Sequence, residues 1–272
     1  DLEMDTSGAF AYNRSTNTYY TWGPGTYLSD PNAVGPKSLS YATAMAAPPM
    51  PDGVTLEQLQ VSGYKYYEQD QVRRDGLTYY ALGSDGRIYV LGENNWGQMG
   101  QGTQRGLTTW TTVKNSAGTA PLEGVTFISA QNNTLAPATA SAVLEDGTLL
   151  SWGYEDNYSL GIAGNVKQLV LRPTKPLWLN DDVPPVYAVE NGGHFTAVIA
   201  VGKDGQIAAV GHNSDAALGA FGDGTSKDRS RYELHPFASM LGGGLESACI
   251  DVPRPPGTPV SLLVRVAVKQ DT

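Results

Sequence analysis

Three short polar stretches hold the side chains best suited to recognition chemistry. They are Glu93-Asn94-Asn95-Trp96, Tyr154-Glu155-Asp156-Asn157-Tyr158 and His212-Asn213-Ser214-Asp215. Tryptophan and tyrosine mixed with asparagine and aspartate suit a surface that stacks on sugars or packs on proteins while exchanging hydrogen bonds. The candidate ligand-binding residues are therefore Asn94, Asn95, Trp96, Tyr154, Asp156, Asn157, Tyr158, His212, Asn213 and Asp215. The competing role, for Trp96 above all, is packing within its own structural unit.

Other chemistries find less support. The histidines are His194, His212 and His235, and nothing in their spacing forces the convergence a zinc site needs. Structural roles are expected for all three. Gly-x-Ser-x-Gly is missing, and the glycine runs at Gly222 to Gly224 and Gly242 to Gly244 lack the Lys-Ser/Thr ending of a phosphate loop. Asp181-Asp182 and Asp223-Gly224 match neither an EF-hand nor a calcium-binding nonapeptide. Acidic residues are scattered over loops, so no carboxylate pair for glycosidic chemistry can be picked out. Three sequons, at Asn13, Asn132 and Asn157, are common enough to arise by chance. The expectation is a protein that is not an enzyme, with no cofactor and no metal.

The elements that must position the polar stretches repeat along the chain. Ala81 to Gly92, Ala142 to Gly153 and Ala200 to Gly211 align without gaps on Asp85-Gly86, Asp146-Gly147 and Asp204-Gly205. Asp-Gly between apolar runs signals a hairpin, and a type I′ turn is expected. A second glycine follows six positions after each turn glycine, and eight further on stand Gly100, Gly161 and Gly219, preceded by Met99, Leu160 and Leu218. Val125 to Ala130 and Val186 to Val189 alternate as strands ahead of their hairpins. Each unit reads as strand, glycine corner, strand, Asp-Gly turn, strand, polar loop. A degenerate fourth copy opens the chain, with Ala9 to Tyr12 and Thr18 to Gly23 around the turn-prone Asn13 to Asn17, and Pro31 where the pattern asks for glycine.

Composition agrees with an all-β chain. Of 272 residues, 32 are Gly, 17 Pro and 15 Tyr, and charged residues are 17%, against roughly 25% in an average domain. A helical bundle would want more Ala, Leu, Glu and Lys. Net charge −9 argues against nucleic-acid binding through a basic face. No apolar run approaches the roughly 18 residues of a membrane-spanning helix, so no membrane insertion is expected in this segment. The single Cys249 excludes an internal disulfide framework.

Strand, Asp-Gly, strand ending in Trp-Gly or its equivalent, then a polar stretch ending in Leu-Gly resembles the repeat of the RCC1 (regulator of chromosome condensation) family. Leu91 to Gly102 is the closest copy, and Gly192-Gly193-His194 resembles that family's glycine-glycine-histidine corner. The likeness covers about residues 77–225, with the weaker copy at about 9–31. It implies a β-propeller in which each repeat contributes about one four-stranded blade. Family propellers usually carry about seven blades, whereas three clear copies and one weaker copy are visible. The expected fold is thus all-β, an RCC1-like β-propeller or partial propeller, with a C-terminal extended strand.

Residues 1–250 are read as the repeat domain. Within it Ser29 to Gly53 reads as an ordered surface loop, and Ser226 to Gly244 shows no clear repeat. Residues 251–272 are read as a proline-rich connector and an alternating strand, Val260 to Lys269. That strand either closes the structure by pairing with Ala9 to Tyr12 or begins a further domain. The start at Asp1, with no Met and no basic-then-apolar leader, reads as a processed mature form or an excised piece of a longer protein.

If the units are blades, the three polar loops gather on one rim. The expected function is a non-catalytic binding module of a secreted or bacterial cell-surface protein, adhering to a host or neighbouring-cell glycan or protein. RCC1-like repeats in large bacterial adhesins support that expectation by resemblance. The alternative is a protein–protein regulator, a hydrolase inhibitor or a small-GTPase exchange factor using one propeller face.

Overall fold

A computed structural model describes residues 1–234 except 6, 68–72, 132–137, 163–166, 182, 193–195, 202–205, 214–220 and 222–223. Those residues form four antiparallel sheets of four strands, each a simple meander. Blade 1 is β1 (Leu2–Asp5), β2 (Gly8–Asn13), β3 (Thr18–Thr26) and β4 (Lys37–Met45). Blade 2 is β5 (Leu56–Tyr67), β6 (Arg73–Gly83), β7 (Ile88–Gly92) and β8 (Leu107–Thr112). Blade 3 is β9 (Val125–Ala130), β10 (Thr139–Leu144), β11 (Leu149–Glu155) and β12 (Gln168–Thr174). Blade 4 is β13 (Val186–Asn191), β14 (Thr196–Val201), β15 (Gln206–Gly211) and β16 (Arg229–Leu234). The repeat expected at the N-terminus is therefore a complete blade, and the fold is that of propeller blades in an arc.

Registers superimpose the blades residue by residue. Trp22, Leu91, Trp152 and Val210 each stand just before a glycine, and across the sheet they pair with Ala9, Tyr79, Ala140 and Ala197. At that glycine the pairing of the third strand with the fourth slips in every blade. Gly23, Gly92, Gly153 and Gly211 have φ between 111° and 121°, and a side chain at Gly92 would lie 2.1 Å from the Leu77 carbonyl oxygen. The slip is a bulge that only glycine accommodates.

The Asp-Gly hairpins differ from the expected type I′. Asp85 and Asp146 keep negative φ, and only Gly86 (φ 70°) and Gly147 (φ 81°) are left-handed. Gly86 N donates to Gly83 O (2.9 Å) and Gly83 N to Arg87 O (3.0 Å), which is a type I turn closed by a glycine bulge. The aspartate has its own role. Its Oδ1 accepts the amide of Arg87 (3.2 Å) or Thr148 (2.8 Å), so its carboxylate stabilises the turn without a left-handed backbone. Backbone donation by Thr148 holds the Asp146 carboxyl below its ordinary pKa. Asp204-Gly205 and His194 lie outside the described residues.

Three apolar seams join consecutive blades. Phe10 and Tyr19 pack with Leu59, Val61, Leu77, Tyr79 and Leu91. Tyr80, Leu82, Ile88 and Val90 pack with Ile128, Ala140, Leu150 and Trp152. Val143 and Leu149 pack with Val186, Val189, Val210 and Tyr232. Each large side chain buried this way contributes about 1.5–3 kcal/mol. The tyrosine richness has a local cause, since their hydroxyls cross the seams. Tyr79 Oη lies 2.7 Å from Thr21 Oγ1 and accepts the Tyr27 amide at 3.1 Å. Burial pushes its pKa up, so it stays a neutral donor.

Backbone bonds fasten the blades as well. Val125 N donates to Gly86 O (3.0 Å) and Val186 N to Gly147 O (2.9 Å), so each turn glycine receives the first strand of the next blade. Near the hub, Gln58 exchanges two bonds with the Ile128 backbone, Nε2 to O at 2.8 Å and N to Oε1 at 3.0 Å.

Two sequence expectations require correction. The stretch Ser29 to Gly53, read as a loop, contains β4, and Ser226 to Gly244 contains β16. Closure by pairing with Ala9 to Tyr12 is excluded, because β2 is already bonded to β1 and β3. The C-terminal strand expected at Val260 to Lys269 lies outside the described residues.

Candidate functional site

The polar loops leave the third strand at equivalent points of blades 2, 3 and 4, so they gather on one rim. Their first turn is set by the residue two positions past the bulge glycine. In blade 2 that is Asn94, fully buried. Its Nδ2 donates to the carbonyls of Thr103 (2.8 Å) and Arg105 (3.2 Å), and its Oδ1 accepts the Met99 amide (2.8 Å). Blade 4 repeats this with Asn213, also fully buried, bonded to Thr225 O (2.9 Å) and to the Phe221 amide (3.1 Å). Both were expected on the ligand surface. A primary amide offers donors and an acceptor from one group, and here each cross-links a loop from inside.

Blade 3 places Glu155 at the same position, which the sequence reading did not single out. Glu155 is fully buried, and its Oε2 accepts the Leu160 amide at 2.9 Å. Burial pushes its pKa up to about 7, with the neighbouring Asp156 charge adding to the shift and backbone donors opposing it. Asp156 is itself buried and lies 3.3 Å from Lys167 Nζ.

The remaining candidates are nearer the surface. Trp96 and Tyr154, from different blades, meet edge to face with ring centroids 4.9 Å apart and planes at 62°. Both are half-buried, as are Asn95, Asn157, Tyr158 and His212. The Trp96 amide donates to Gln98 Oε1 (3.0 Å) and the Asn95 carbonyl accepts from Gln104 Nε2 (2.8 Å). Gln98, missed in the sequence, is the node beneath them. Its carbonyl accepts from Tyr80 Oη (2.9 Å) and Trp152 Nε1 (2.6 Å), tying the blade 2 loop to the core of blade 3.

Asn157 (φ 50°) and Tyr158 (φ 67°) have left-handed backbones. Tyr158 stands where blade 2 has Gly97 (φ 73°), so the chain carries strain there to display a tyrosine. His212 Nδ1 lies 3.2 Å from Asp228 Oδ1, and the same oxygen accepts the Asn213 amide at 2.7 Å. Asp215 lies outside the described residues. The geometry thus brings Trp96 and Tyr154 together and spends Asn94 and Asn213 inside their loops. Among the described residues no three His, Cys, Asp or Glu side chains gather as metal ligands, and no helix is long and apolar enough to cross a membrane.

The arc of four-stranded meanders defines a repeat-built β-propeller segment. Its blades resemble the RCC1 repeat. No family model matches the sequence. The chain is 27% identical over 172 residues to human "Probable E3 ubiquitin-protein ligase HERC6", a match covering 61% of this chain and 15% of that protein. The fold is similar to human WBSCR16, with TM-score 0.57 and 16% identity over 86% of this chain and 50% of that one. It is also similar to Prp20p from Saccharomyces cerevisiae, with TM-score 0.48 and 16% identity over 86% of this chain and 62% of that one. The chain thus spans half of WBSCR16 and a small part of HERC6.

Proposed function

We propose that this chain is a non-catalytic binding module of a secreted or bacterial cell-surface protein, and that the rim between blades 2 and 3 adheres to a glycan or protein on a host or neighbouring cell. The observation that carries this reading is the Trp96–Tyr154 pair. Two half-buried aromatic rings from different blades form one edge, flanked by Asn95, Asn157 and Tyr158. Aromatic faces beside amides can stack on a sugar ring or pack on a protein while pairing its polar groups. The strained Tyr158 supports the same reading, since strain of this kind collects at ligand-contacting positions.

The test is binding of the labelled chain to intact host and bacterial cells, read by flow cytometry, with and without protease or periodate treatment of the cells. The reading expects saturable binding that Trp96→Ala and Tyr154→Ala weaken while each variant keeps a cooperative unfolding transition above the assay temperature. Loss after protease identifies a protein ligand, and loss after periodate identifies a glycan. Equal binding by the variants, or no saturable binding, would overturn it.

A further inference from the structure

Arg172, in the outer strand of blade 3, is held in a way that its blade does not require. The registers place Tyr41, Thr109 and Arg231 at the same position of blades 1, 2 and 4, so the fold asks for no particular side chain there. In blade 3 two loops of blade 2 make room for the arginine. A Cβ at Gly102 would lie 2.7 Å from Arg172 Nε, and one at Gly118 would lie 2.6 Å from its guanidinium carbon. Both glycines are left-handed, with φ of 77° and 75°. The Gly102 amide donates to the Leu171 carbonyl at 2.8 Å, and Ser116 Oγ donates to the Pro173 carbonyl at 2.6 Å. The backbone on either side of Arg172 is thus fastened to the same loops.

The guanidinium is fixed but not neutralised. Arg14 is paired with Asp1, and Arg87 with Glu123. Arg172 is exposed and has no acidic partner among the described residues. A chain of net charge −9 therefore holds this cation without a counter-charge. Its planar fork of donors suits a carboxylate or a sulfate. Its place on the strand matters as well. Leu171 packs on Gly97, the residue after Trp96, with Cδ2 2.6 Å from where a Gly97 Cβ would stand. Leu169 pairs with Tyr154 across the sheet. Arg172 is three residues beyond Leu169, which is roughly 10 Å along the strand from the level of the aromatic pair.

We propose that Arg172 is the anion-binding element of the rim site, so that the glycan bound at Trp96 and Tyr154 carries a carboxylate or sulfate group. This rests on the rim reading above and names the class of sugar it takes. The rings pack on a sugar face, and the guanidinium receives an acidic substituent further along the same glycan. The charge balance favours an acidic sugar over an acidic protein. A net charge of −9 repels an extended acidic surface, whereas a single anion can reach one unneutralised arginine.

The experiment titrates the full chain with sialyllactose, sulfated lactose, plain lactose and a glutamate-rich peptide. Affinity is read by calorimetry, and the Arg172 Nε–H resonance by NMR. At least one acidic sugar should bind saturably, move that resonance and bind more weakly as salt is raised. Arg172→Gln should weaken that binding by roughly tenfold or more and leave the affinity for plain lactose unchanged. A response to sialyllactose alone assigns a carboxylate, and a response to sulfated lactose alone assigns a sulfate. Acidic sugars that bind no better than lactose, or that bind Arg172→Gln as tightly as the parent, would overturn the anion site while leaving the rim reading standing. Tighter binding of the peptide than of either acidic sugar would overturn the glycan assignment. An acidic sugar that moves the Arg172 resonance but binds Trp96→Ala as tightly as the parent would overturn the rim site itself.

Discussion

The amide of Val186 donates to the carbonyl of Gly147 at 2.9 Å, so a hairpin turn of blade 3 receives the first strand of blade 4. The same bond joins Val125 to Gly86 one blade earlier. The turn glycine is thus needed twice. It takes a left-handed conformation, and it lets the next blade approach without obstruction.

Gly147→Ala separates these needs from simple turn strain. A Cβ at Gly147 would lie 2.5 Å from Pro185 Cβ, whereas Gly124, also left-handed at φ 70°, has nothing within 4 Å. Gly124→Ala should cost about 1 kcal/mol from backbone strain alone. Gly147→Ala should cost about 2–4 kcal/mol, because blade 4 must move. Urea unfolding of the two variants measures the difference, and equal losses would show that the turn does not set the blade approach.

Glu155 makes stability depend on pH in a defined direction. Its pKa is raised from 4.5 to about 7 in the folded chain, so the folded state holds the proton more tightly than the unfolded state. Its contribution is fully present below about pH 4.5 and is lost as pH rises through about 7, by at most about 3 kcal/mol. Glu155→Gln should remove this fall and make the chain more stable at pH 8. Unfolding measured from pH 4 to 8 checks the slope, and an unchanged slope in the variant assigns it elsewhere.

Tyr158→Gly should raise stability by about 0.5–1 kcal/mol, since relief of the left-handed strain exceeds the entropy cost of glycine. If Tyr158 serves the rim, the same change weakens ligand binding. A variant that is more stable and binds equally well would remove Tyr158 from the surface.

The parts of this fold that were legible in the sequence are those where geometry leaves one residue choice. Gly92 and Gly153 sit at a bulge with φ near 115°, and Gly86 and Gly147 at a turn pressed against the next blade, so the same letters recur at fixed spacing. The outer strands left no such mark. Lys37–Met45 faces solvent along most of its length, so no alternation announces it and its sequence resembles that of a loop. Gln58 and Gln60 look like ordinary surface glutamines until the register puts them against the next blade.

The site was legible in part for a related reason. Residue type reported polarity but not burial. Asn94 and Asn213 were drawn to the ligand surface because loop asparagines commonly bind ligands, and they are fully buried within their loops. Glu155 escaped notice because nothing in the sequence says that it replaces an asparagine. The repeat alignment held that signal, since Asn94, Glu155 and Asn213 all stand two residues past the bulge glycine.

The most direct measurement of the central claim is a double-mutant cycle on Trp96 and Tyr154, with affinity for the cell-surface ligand as the readout. The account predicts that each alanine variant weakens binding by roughly tenfold, and that the two effects couple by about 0.5–1.5 kcal/mol, as touching rings that share a ligand should. Cooperative unfolding well above the assay temperature in every variant would show that the loss belongs to the surface and not to unfolding. Variants that bind as tightly as the parent, or effects that add with no coupling, would contradict a single recognition edge shared by the two blades.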